Sequence, residues 1–366
     1  MLNLKYKFYR SKKNKQLEER IRVACSIWNH CLSLQKRYYK MYKKYIDVNK
    51  MQKHISKLRK NNTYWLKLNS QSVQEICQRQ DQAFQRFFKK ITKRPPKFKK
   101  YQNFNSFVFK NSGWKIDNNK FTITKVGTFK FSNSREYKNI KRITIKRGVG
   151  DEYFLVLTCD IESERLKRVG KSTIGMDFGL KTYLTCSNGE KIESPQFLKQ
   201  DLKRLKQANK ELSSKKFGSN NRKKAKVKVA KIHQDIANKR SDFEWKLTHK
   251  LCKNNVFIAI EDLNLEGMKK LWGRKVSDLA FASFVLKLEQ VAKKYDSVIV
   301  KIDRFYPSSK LCTCGYKNKD LKLSDRTWIC PVCNKKHDRD VLAAKNILTE
   351  GIRLYCTKNK TTKVAS

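Results

Sequence analysis

The chain has 366 residues, and its 85 lysines and arginines against 32 aspartates and glutamates give a net charge of +53. A surplus of this size repels itself in a compact fold unless a polyanion neutralises it, so nucleic acid is the expected partner. There is no apolar run of the roughly 18 residues that a membrane span needs, no lipidation motif, and no apolar signal segment within residues 1–8. These observations argue against a membrane or secreted protein.

Cysteine usage indicates a reducing compartment. Four of the eleven cysteines crowd into residues 312–333, and the other seven are scattered over apolar segments. Four thiols in one short segment are typical of a metal site rather than of a disulfide framework. We therefore expect a cytoplasmic protein with a metal site, and we expect the scattered cysteines to pack in the core.

Residues 1–170 predict a mixture of strands and helices. Alternating residues at 4–9 favour an opening strand. Helical periodicity follows until Pro95 and Pro96, which predicts a helical insert over about residues 12–95. Short alternating segments then predict further strands as far as residue 157.

Residues 171–306 change character. Apolar strand candidates cover residues 173–181, 256–263 and 297–302, and a lysine-rich helical stretch, residues 199–250, lies between the first two. Strands that alternate with long helices predict an α/β core.

Three carboxylates stand at the ends of segments that should be buried. Asp177 and Glu261 lie in or close the first two apolar strand candidates, and Asp340 opens a helical stretch over residues 340–348. Singly, each could be an isolated helix cap or ion pair. Together they indicate a cage for two hard cations such as Mg²⁺ or Mn²⁺, which stabilise the attacking and leaving oxygens of a phosphodiester displacement.

Several segments resemble those of the TnpB proteins, RNA-guided nucleases of bacterial insertion-sequence transposons. Residues 175–182 are similar to the first RuvC motif of that family, residues 260–264 to the second, and residues 338–347 to the third. Further similar segments are residues 70–74, 81–84, 236–243 and 305–310. The similarity covers nearly the whole chain, and type V CRISPR effectors resemble the same family.

The resemblance implies an α/β fold with an RNase H-like (RuvC) nuclease core, an inserted zinc ribbon, and a preceding β-barrel-like domain that holds a helical recognition segment. The implied division is an N-terminal nucleic-acid-binding region over residues 1–170, a split core over 171–306 and 337–353, a ribbon over 307–336, and a polar tail over 354–366. Asp177, Glu261 and Asp340 are the implied catalytic magnesium ligands.

Two nearby carboxylates are rivals for these roles. Asp262 would face away from Glu261 if the strand continues, and Asp338 would point some 200° from Asp340 if both are helical. We interpret both as supporting residues. The family usually has Asn at the position of Leu342, a departure expected to loosen the start of the last helix.

Cys312, Cys314, Cys330 and Cys333 are the candidate zinc ligands, by donor type and by the Cys-Pro-Val-Cys spacing of the second pair. Relatives normally have two residues inside the first pair, whereas here only Thr313 intervenes. The short pair puts ligation by all four thiolates in doubt, and His337 or water could stand in. We expect about one structural zinc, weakly held, or a metal-free ribbon.

Basic segments supply the candidate nucleic-acid contacts. Residues 199–240 hold 15 lysines and arginines against 3 acidic residues, and residues 36–60 hold ten against one, with four tyrosines. Tyr38, Tyr42 and Tyr45 share a helical face, so core packing is favoured over base stacking. The candidate contacts are Gln71, Gln74, Arg222, Lys223, Lys224 and Arg240. Glutamine can read adenine in a major groove, and the resemblance implies that the region of Gln71 and Gln74 reads a short duplex motif beside the target. An ordinary polar helix face is the alternative for these glutamines.

The favoured hypothesis is a metal-dependent DNA endonuclease of an insertion-sequence transposon, directed to target DNA by a guide RNA and acting in the nucleoid of a prokaryotic cytoplasm. The alternatives are an RNA-guided DNA-binding protein that does not cut, and a nuclease of the same fold that acts without RNA. All three carboxylates are present, which favours cutting, and the large basic N-terminal half favours an RNA partner. A homodimer stays open.

Overall fold

The computed structural model describes residues 1–150, 152–160, 165–179, 182–263, 273, 279–322 and 324–364, with side chains as far as residue 357 at the C-terminal end. The chain forms two compact units, Met1–Ser163 and Glu164–Ser366. Within the described ranges, no helix has the length and apolar character required to cross a membrane.

The N-terminal unit begins with one strand and a run of helices. These elements are β1 (Leu2–Lys7), α1 (Asn14–Tyr42), α2 (Val48–Lys60), α3 (Thr63–Leu66) and α4 (Ser70–Phe88). Side chains of Asp47, Asn62 and Asn69 accept hydrogen bonds from backbone N–H groups at the starts of α2, α3 and α4. Such caps satisfy amides that have no partner within a helix, which explains why the helical insert is divided at these residues.

Six short strands complete the N-terminal unit: β2 (Ser106–Phe109), β3 (Trp114–Asp117), β4 (Lys120–Ile123), β5 (Gly127–Lys130), β6 (Ile140–Arg147) and β7 (Tyr153–Cys159). They form two antiparallel sheets, one in the order β1-β7-β6-β2 and one in the order β3-β4-β5. An isolated bridge pairs Phe8 with Phe131. Buried aromatic rings of both sheets and the apolar faces of the helices share one core.

The C-terminal unit is built on a five-stranded sheet in the order β10-β9-β8-β11-β12. Strands β8, β11 and β12 are parallel, whereas β9 and β10 run antiparallel to their neighbours. The strands are β8 (Ser172–Phe178), β9 (Thr182–Cys186), β10 (Lys191–Glu193), β11 (Asn255–Glu261) and β12 (Val298–Ile302). A separate hairpin pairs β13 (Thr327–Ile329) with β14 (Lys336–Asp338).

Helices cover both faces of this sheet. They are α5 (Phe197–Gln200), α6 (Leu202–Ser213), α7 (Asn220–Asn254), α8 (Phe281–Tyr295) and α9 (Arg339–Val364). Ile258 and Ile260 of β11 pack in a core with α7 and α8. Phe257 and Ala259 of the same strand pack with Ile347 of α9. The alternation of side chains along β11 therefore separates two cores.

The predicted mixed α/β fold is confirmed. Helix α9 runs through the segment predicted as a polar tail, and the two units divide after Ser163, close to the expected boundary at residue 170. Leu180, Lys181 and Asn264, which belong to the first two motifs, lie outside the described residues.

The prediction of core packing for the tyrosines at the end of α1 was only partly correct. Tyr45 is half-buried and packs against Phe84, but Tyr42 is more than half exposed. Tyr38 is half-buried, and its ring contacts that of Tyr42 instead of the core.

Candidate active site

Asp177 and Glu261 lie at the carboxyl ends of neighbouring parallel strands. Strands β8 and β11 pair with Gly175 beside Ala259 and Met176 beside Ile260. Asp177 and Glu261 follow one step further along each strand. Since side chains alternate across a sheet, both carboxylates point to the face that carries Gly175 and Ala259.

Helix α9 covers that face at very short range. A Cβ atom built on Gly175 would lie 2.2 Å from the carbonyl oxygen of Ala344, and one built on Gly351 would lie 2.6 Å from the Cβ of Ala259. Real side chains do not approach so closely, so these two glycines allow the helix to lie directly on the strands. Asp340, in the first turn of α9, is thereby brought towards the strand ends.

The electrostatics of Asp177 and Glu261 reflect this crowding. Burial, with the added negative charges of Glu261 and Asp340, raises the pKa of Asp177 to about 7. Burial, with the added charges of Asp262 and Asp303, also raises the pKa of Glu261 to about 7. Carboxylates that repel one another in a half-buried site fit a divalent cation, because oxygen ligands are those that Mg²⁺ prefers and its charge favours their ionised form.

The two rival carboxylates have other partners. Asp338, at the end of β14, accepts hydrogen bonds from the backbone N–H groups of Asp340 at 3.0 Å and Val341 at 3.1 Å, and it pairs with Lys191 at 2.7 Å. It therefore caps α9 from a strand and not from the helix. Asp262 forms an ion pair with Arg304.

Asp340 has a cationic neighbour that sequence reasoning missed. The guanidinium of Arg326, which precedes β13, lies 3.5 Å from the Asp340 carboxylate, and both groups are partly exposed. The backbone N–H of Arg339 also donates to the carbonyl of Arg326 at 2.9 Å. Arg326 precedes β13 and Asp340 follows β14, so pairing of the two strands brings these residues close together. No sequence pattern predicts this contact.

The four candidate zinc ligands lie together. The sulfur atoms of Cys312, Cys314, Cys330 and Cys333 are all within 4.8 Å of one another. Gly315, with a φ of +95°, donates its backbone N–H to the carbonyl of Cys312 at 3.0 Å and closes a tight turn. This turn explains how a pair with one intervening residue can still present both thiols. The cluster has the donor type of a zinc site.

Two further residues attach this cluster to its surroundings. The Nε2 atom of His337 is 3.0 Å from the sulfur of Cys312, so the histidine lies beside one of the four thiols. Leu342 is buried in one apolar cluster with Cys312 and Trp328. The expected loosening of α9 at Leu342 is therefore not observed, because the leucine packs the helix against the cysteine segment.

The two candidate glutamines, Gln71 and Gln74, have different surroundings in the structure. The side-chain carbonyl of Gln71 accepts hydrogen bonds from the backbone N–H groups of Lys110 at 3.1 Å and Ser112 at 3.3 Å, which ties α4 to the loop after β2. The side chain of Gln74 is exposed. Gln74 is thus the better placed of the two for contact with a partner.

The basic candidates also divide into two groups. The guanidinium of Arg222 donates to the carbonyls of Leu212 at 2.9 Å and Lys215 at 3.0 Å, and so it fastens the end of α6 to the start of α7. Lys223 and Lys224 are exposed on α7.

Arg240 occupies a more enclosed position. It is half-buried and lines a small cavity with Tyr183 and Glu244. The buried Glu244 pairs with Lys287 at 2.5 Å. The sequence did not single out this ion pair, since each partner lies on a helix whose facing could not be fixed from periodicity alone.

Two family models match the chain. The OrfB_IS605 model, described as "Probable transposase", matches residues 157–271. The model of the Cas12f1-like TNB domain matches residues 281–347. The first match includes Asp177 and Glu261, and the second includes the four cysteines and Asp340.

Relatives align over most of the chain. A protein of Streptomyces pristinaespiralis, named as an RNA-guided DNA endonuclease, is 34% identical over 292 residues, which are 78% of this chain and 72% of the relative. InsQ of Escherichia coli K12, also named as an RNA-guided DNA endonuclease, is 28% identical over 90% of this chain and 87% of its own. The TnpB-like protein L79 of Acanthamoeba polyphaga mimivirus is 28% identical over 50% of this chain and 38% of its own.

A solved structure has the same fold. The protein in a Cas12f1–sgRNA–target DNA complex aligns with a TM-score of 0.59 and 16% identity, over 92% of this chain and 83% of that one. The sequence similarity to the Streptomyces pristinaespiralis relative, at 34% identity over most of both chains, carries the assignment of family. The chain belongs to the TnpB-like family of IS605-type transposon proteins.

Proposed function

We propose that this chain is an RNA-guided DNA endonuclease in which Asp177, Glu261 and Asp340 hold two divalent cations, Mg²⁺ or Mn²⁺. The observation that supports the proposal is the placement of Asp177 and Glu261 at the ends of neighbouring strands, on the face covered by the helix that carries Asp340, with the pKa values of Asp177 and Glu261 raised to about 7. Two such ions would stabilise the attacking and leaving oxygens of an in-line displacement at phosphorus.

Each residue has a distinct task in this proposal. Asp177 and Glu261 provide rigid ligands, because both sit on paired strands of the central sheet. Asp340 supplies the third ligand from α9, whose start is fixed by the cap from Asp338. The ion pair with Arg304 keeps Asp262 engaged outside the ligand set.

The proposed domain roles follow the fold. Residues 171–306 and 337–353 form a RuvC-like core, which the sheet order β10-β9-β8-β11-β12 with α9 across one face supports. Residues 307–336 form a ribbon with a structural zinc held by the four cysteines, which their clustering within 4.8 Å supports. Residues 1–170 form a nucleic-acid-binding region with barrel-like sheets, in keeping with the net charge of +53.

The proposed partners are a guide RNA and a target DNA. Base pairing with the RNA would read the target, and the protein would read heteroduplex shape and a short flanking motif. Lys223 and Lys224 are exposed for phosphate contact, and Gln74 is exposed for base contact. Relatives named as RNA-guided DNA endonucleases support this assignment.

The test is cleavage of a randomised plasmid library by the purified protein with RNA transcribed from beside its gene. Cleavage that needs both the RNA and Mg²⁺, and that is lost in Asp177→Asn, is the expected result. RNA that copurifies with the protein should be sequenced in parallel. Guided binding without cutting by the wild type would favour a non-cutting DNA-binding protein, and cutting without RNA would favour an unguided nuclease.

A further inference from the structure

Exposed apolar side chains occur in the last turn of α1 and at or just after the end of α4. Tyr39 is 58% exposed, Met41 71%, Tyr42 55%, Phe88 50% and Ile91 62%. We call these five residues the aromatic end surface. Exposure of large apolar groups to water is unfavourable, and a partner that covers them removes this cost. A surface with several such groups is therefore a candidate binding surface.

Tyr45 holds the two helix ends together. Its ring meets Phe88 edge-on at 5.3 Å and Phe84 at 5.6 Å, and its hydroxyl donates to Asp81 at 2.8 Å. Because Tyr45 follows the end of α1 by three residues, Tyr42 lies near the same place. The exposed rings thus lie next to the packed contact between Tyr45 and α4. The backbone that carries them is already ordered before a partner binds.

Positive charge surrounds the aromatic end surface. Residues 36–44 contain five lysines and arginines, residues 86–100 contain eight, and neither segment contains an acidic residue. Two lysines already lie over rings: Lys36 over Phe98 at 4.7 Å and Lys43 over Tyr39 at 6.0 Å. The surface therefore combines cations with aromatic faces, the two features that unpaired nucleotides require.

The charge decides between possible occupants. A second copy of this chain would bring two strongly basic segments together, and the repulsion would oppose association. A nucleic acid duplex offers phosphates but keeps its bases stacked inside, out of reach of the rings. A single strand offers both phosphates and free base faces. Among single strands, a folded RNA carries unpaired loops before any target is bound, whereas target DNA arrives as a duplex.

We propose that the aromatic end surface binds unpaired nucleotides of the guide RNA, with bases stacked on Tyr39 and Tyr42 and phosphates neutralised by residues 36–44 and 86–100. This inference rests on the proposed function, because it names the part of the protein that holds unpaired RNA. Tyr39 and Tyr42 are the informative positions, since both are more than half exposed and their replacement leaves the packed core intact.

The test measures binding of the full chain to an unstructured single-stranded RNA of about 15 nucleotides over a range of salt concentrations. Tyr39→Ala/Tyr42→Ala should weaken binding by about tenfold at every salt concentration, with an unchanged salt slope, because stacking is lost and no charge is removed. Tyr39→Phe/Tyr42→Phe should bind like the wild type, and Tyr39→Leu/Tyr42→Leu should bind like the alanine variant. Lys40→Gln/Lys43→Gln/Lys44→Gln should instead reduce the slope.

The same titration with duplex RNA and with single-stranded DNA of the same sequence completes the test. The alanine variant should bind the duplex as the wild type does. Equal affinity of the wild type and the alanine variant for single-stranded RNA would overturn the inference and leave the proposed function standing. A larger loss for single-stranded DNA than for RNA would overturn the assignment to RNA, as would full binding by the leucine variant. A wild type that binds no RNA would overturn the inference and the proposed function together.

Discussion

Gly175 on β8 faces the backbone of α9 so closely that a Cβ atom added to it would lie 2.2 Å from the carbonyl oxygen of Ala344. The contact sets the distance between the central sheet and the helix that carries Asp340. Asp177 lies two residues beyond Gly175 on the same face of the strand, and Asp340 lies one helical turn before Ala344. A glycine with no role in chemistry thus allows the helix that carries Asp340 to lie directly on the strand that carries Asp177.

Gly175→Ala should displace α9 and destabilise the C-terminal unit. Overpacking against a backbone that cannot move costs about 1–3 kcal/mol or more in free energy of unfolding, which denaturant titration measures. DNA cutting should fall with it, because Asp340 moves away from Asp177. Gly189→Ala separates backbone strain from overpacking, since that glycine has a φ of +90° and no atom within 4 Å of a built Cβ, so this variant should lose some stability while DNA cutting persists. Equal stability of Gly175→Ala and the wild type would contradict this account of the contact.

The stability of the metal-free protein should depend on pH through Asp177 and Glu261. Their pKa values lie at about 7 in the fold, against ordinary values of 3.8 and 4.5, so the folded state holds these protons more tightly than the unfolded chain does. The free energy of unfolding should therefore fall as pH rises from about 4 to about 7. Asp177→Asn should flatten this fall, and Mg²⁺ should offset it by binding the ionised carboxylates. Parallel pH profiles for Asp177→Asn and the wild type would exclude this origin.

Asp340→Ala should abolish cutting while RNA-guided binding to DNA persists, because a proposed metal ligand is removed and the basic surfaces are unchanged. Asp338→Ala should keep cutting measurable but lower the free energy of unfolding by about 0.5–2 kcal/mol, the usual cost of a lost helix cap. Cleavage and gel-shift assays on both variants separate these roles. Near-normal cutting by Asp340→Ala would transfer the ligand role to Asp338.

Lys223→Gln/Lys224→Gln should weaken RNA binding and reduce its salt dependence, since both lysines are exposed on α7. Arg222→Gln should mainly lower stability, because its guanidinium bonds the carbonyls of Leu212 and Lys215. Salt titrations of RNA affinity, paired with thermal melts, distinguish the two effects. A salt slope in the lysine variant identical to that of the wild type would mark these lysines as a solvated helix face.

Metal analysis should find about one zinc per chain, and Cys312→Ser and Cys333→Ser should both lose it. From the sequence alone, the single residue between Cys312 and Cys314 put ligation by all four thiolates in doubt. The structure places the sulfur of Cys312 at 3.5 Å from that of Cys333 and buries it, so the two should matter equally. Retained zinc in Cys312→Ser would instead indicate a site of three thiolates with His337 or water as the fourth ligand.

The sequence could predict the candidate carboxylates because each stands at the end of an apolar run. A charged group beside a buried segment is costly unless it is paired or binds a cation. It could not predict the register of β8 on β11, which depends on packing of both faces of the sheet. It also could not predict the contact between Arg326 and Asp340, which forms because β13 and β14 pair as a hairpin. The doubt over ligation by all four cysteines came from the spacing of Cys312 and Cys314 alone, whereas the turn at Gly315 depends on a left-handed conformation that spacing does not encode.

The sequence also could not show which polar side chains of a helix point to solvent and which point to the protein. Gln71 and Arg222 looked like contacts for a partner because polar groups on predicted helices are usually exposed. Both instead hydrogen-bond to backbone of their own units, Gln71 to the loop after β2 and Arg222 to the end of α6. These bonds join segments that are far apart in the sequence or lie on either side of a turn, and helical periodicity carries no information on them.

The most direct test of the central claim is a change of target by change of RNA. The guide segment of the RNA encoded beside the gene is replaced by one that matches a second plasmid site with the same flanking motif, and the cut ends are mapped by sequencing. The account predicts that the cut moves to the new site, requires Mg²⁺, and disappears in Asp177→Asn. A cut that stays at the old site, or that forms without RNA, would contradict it.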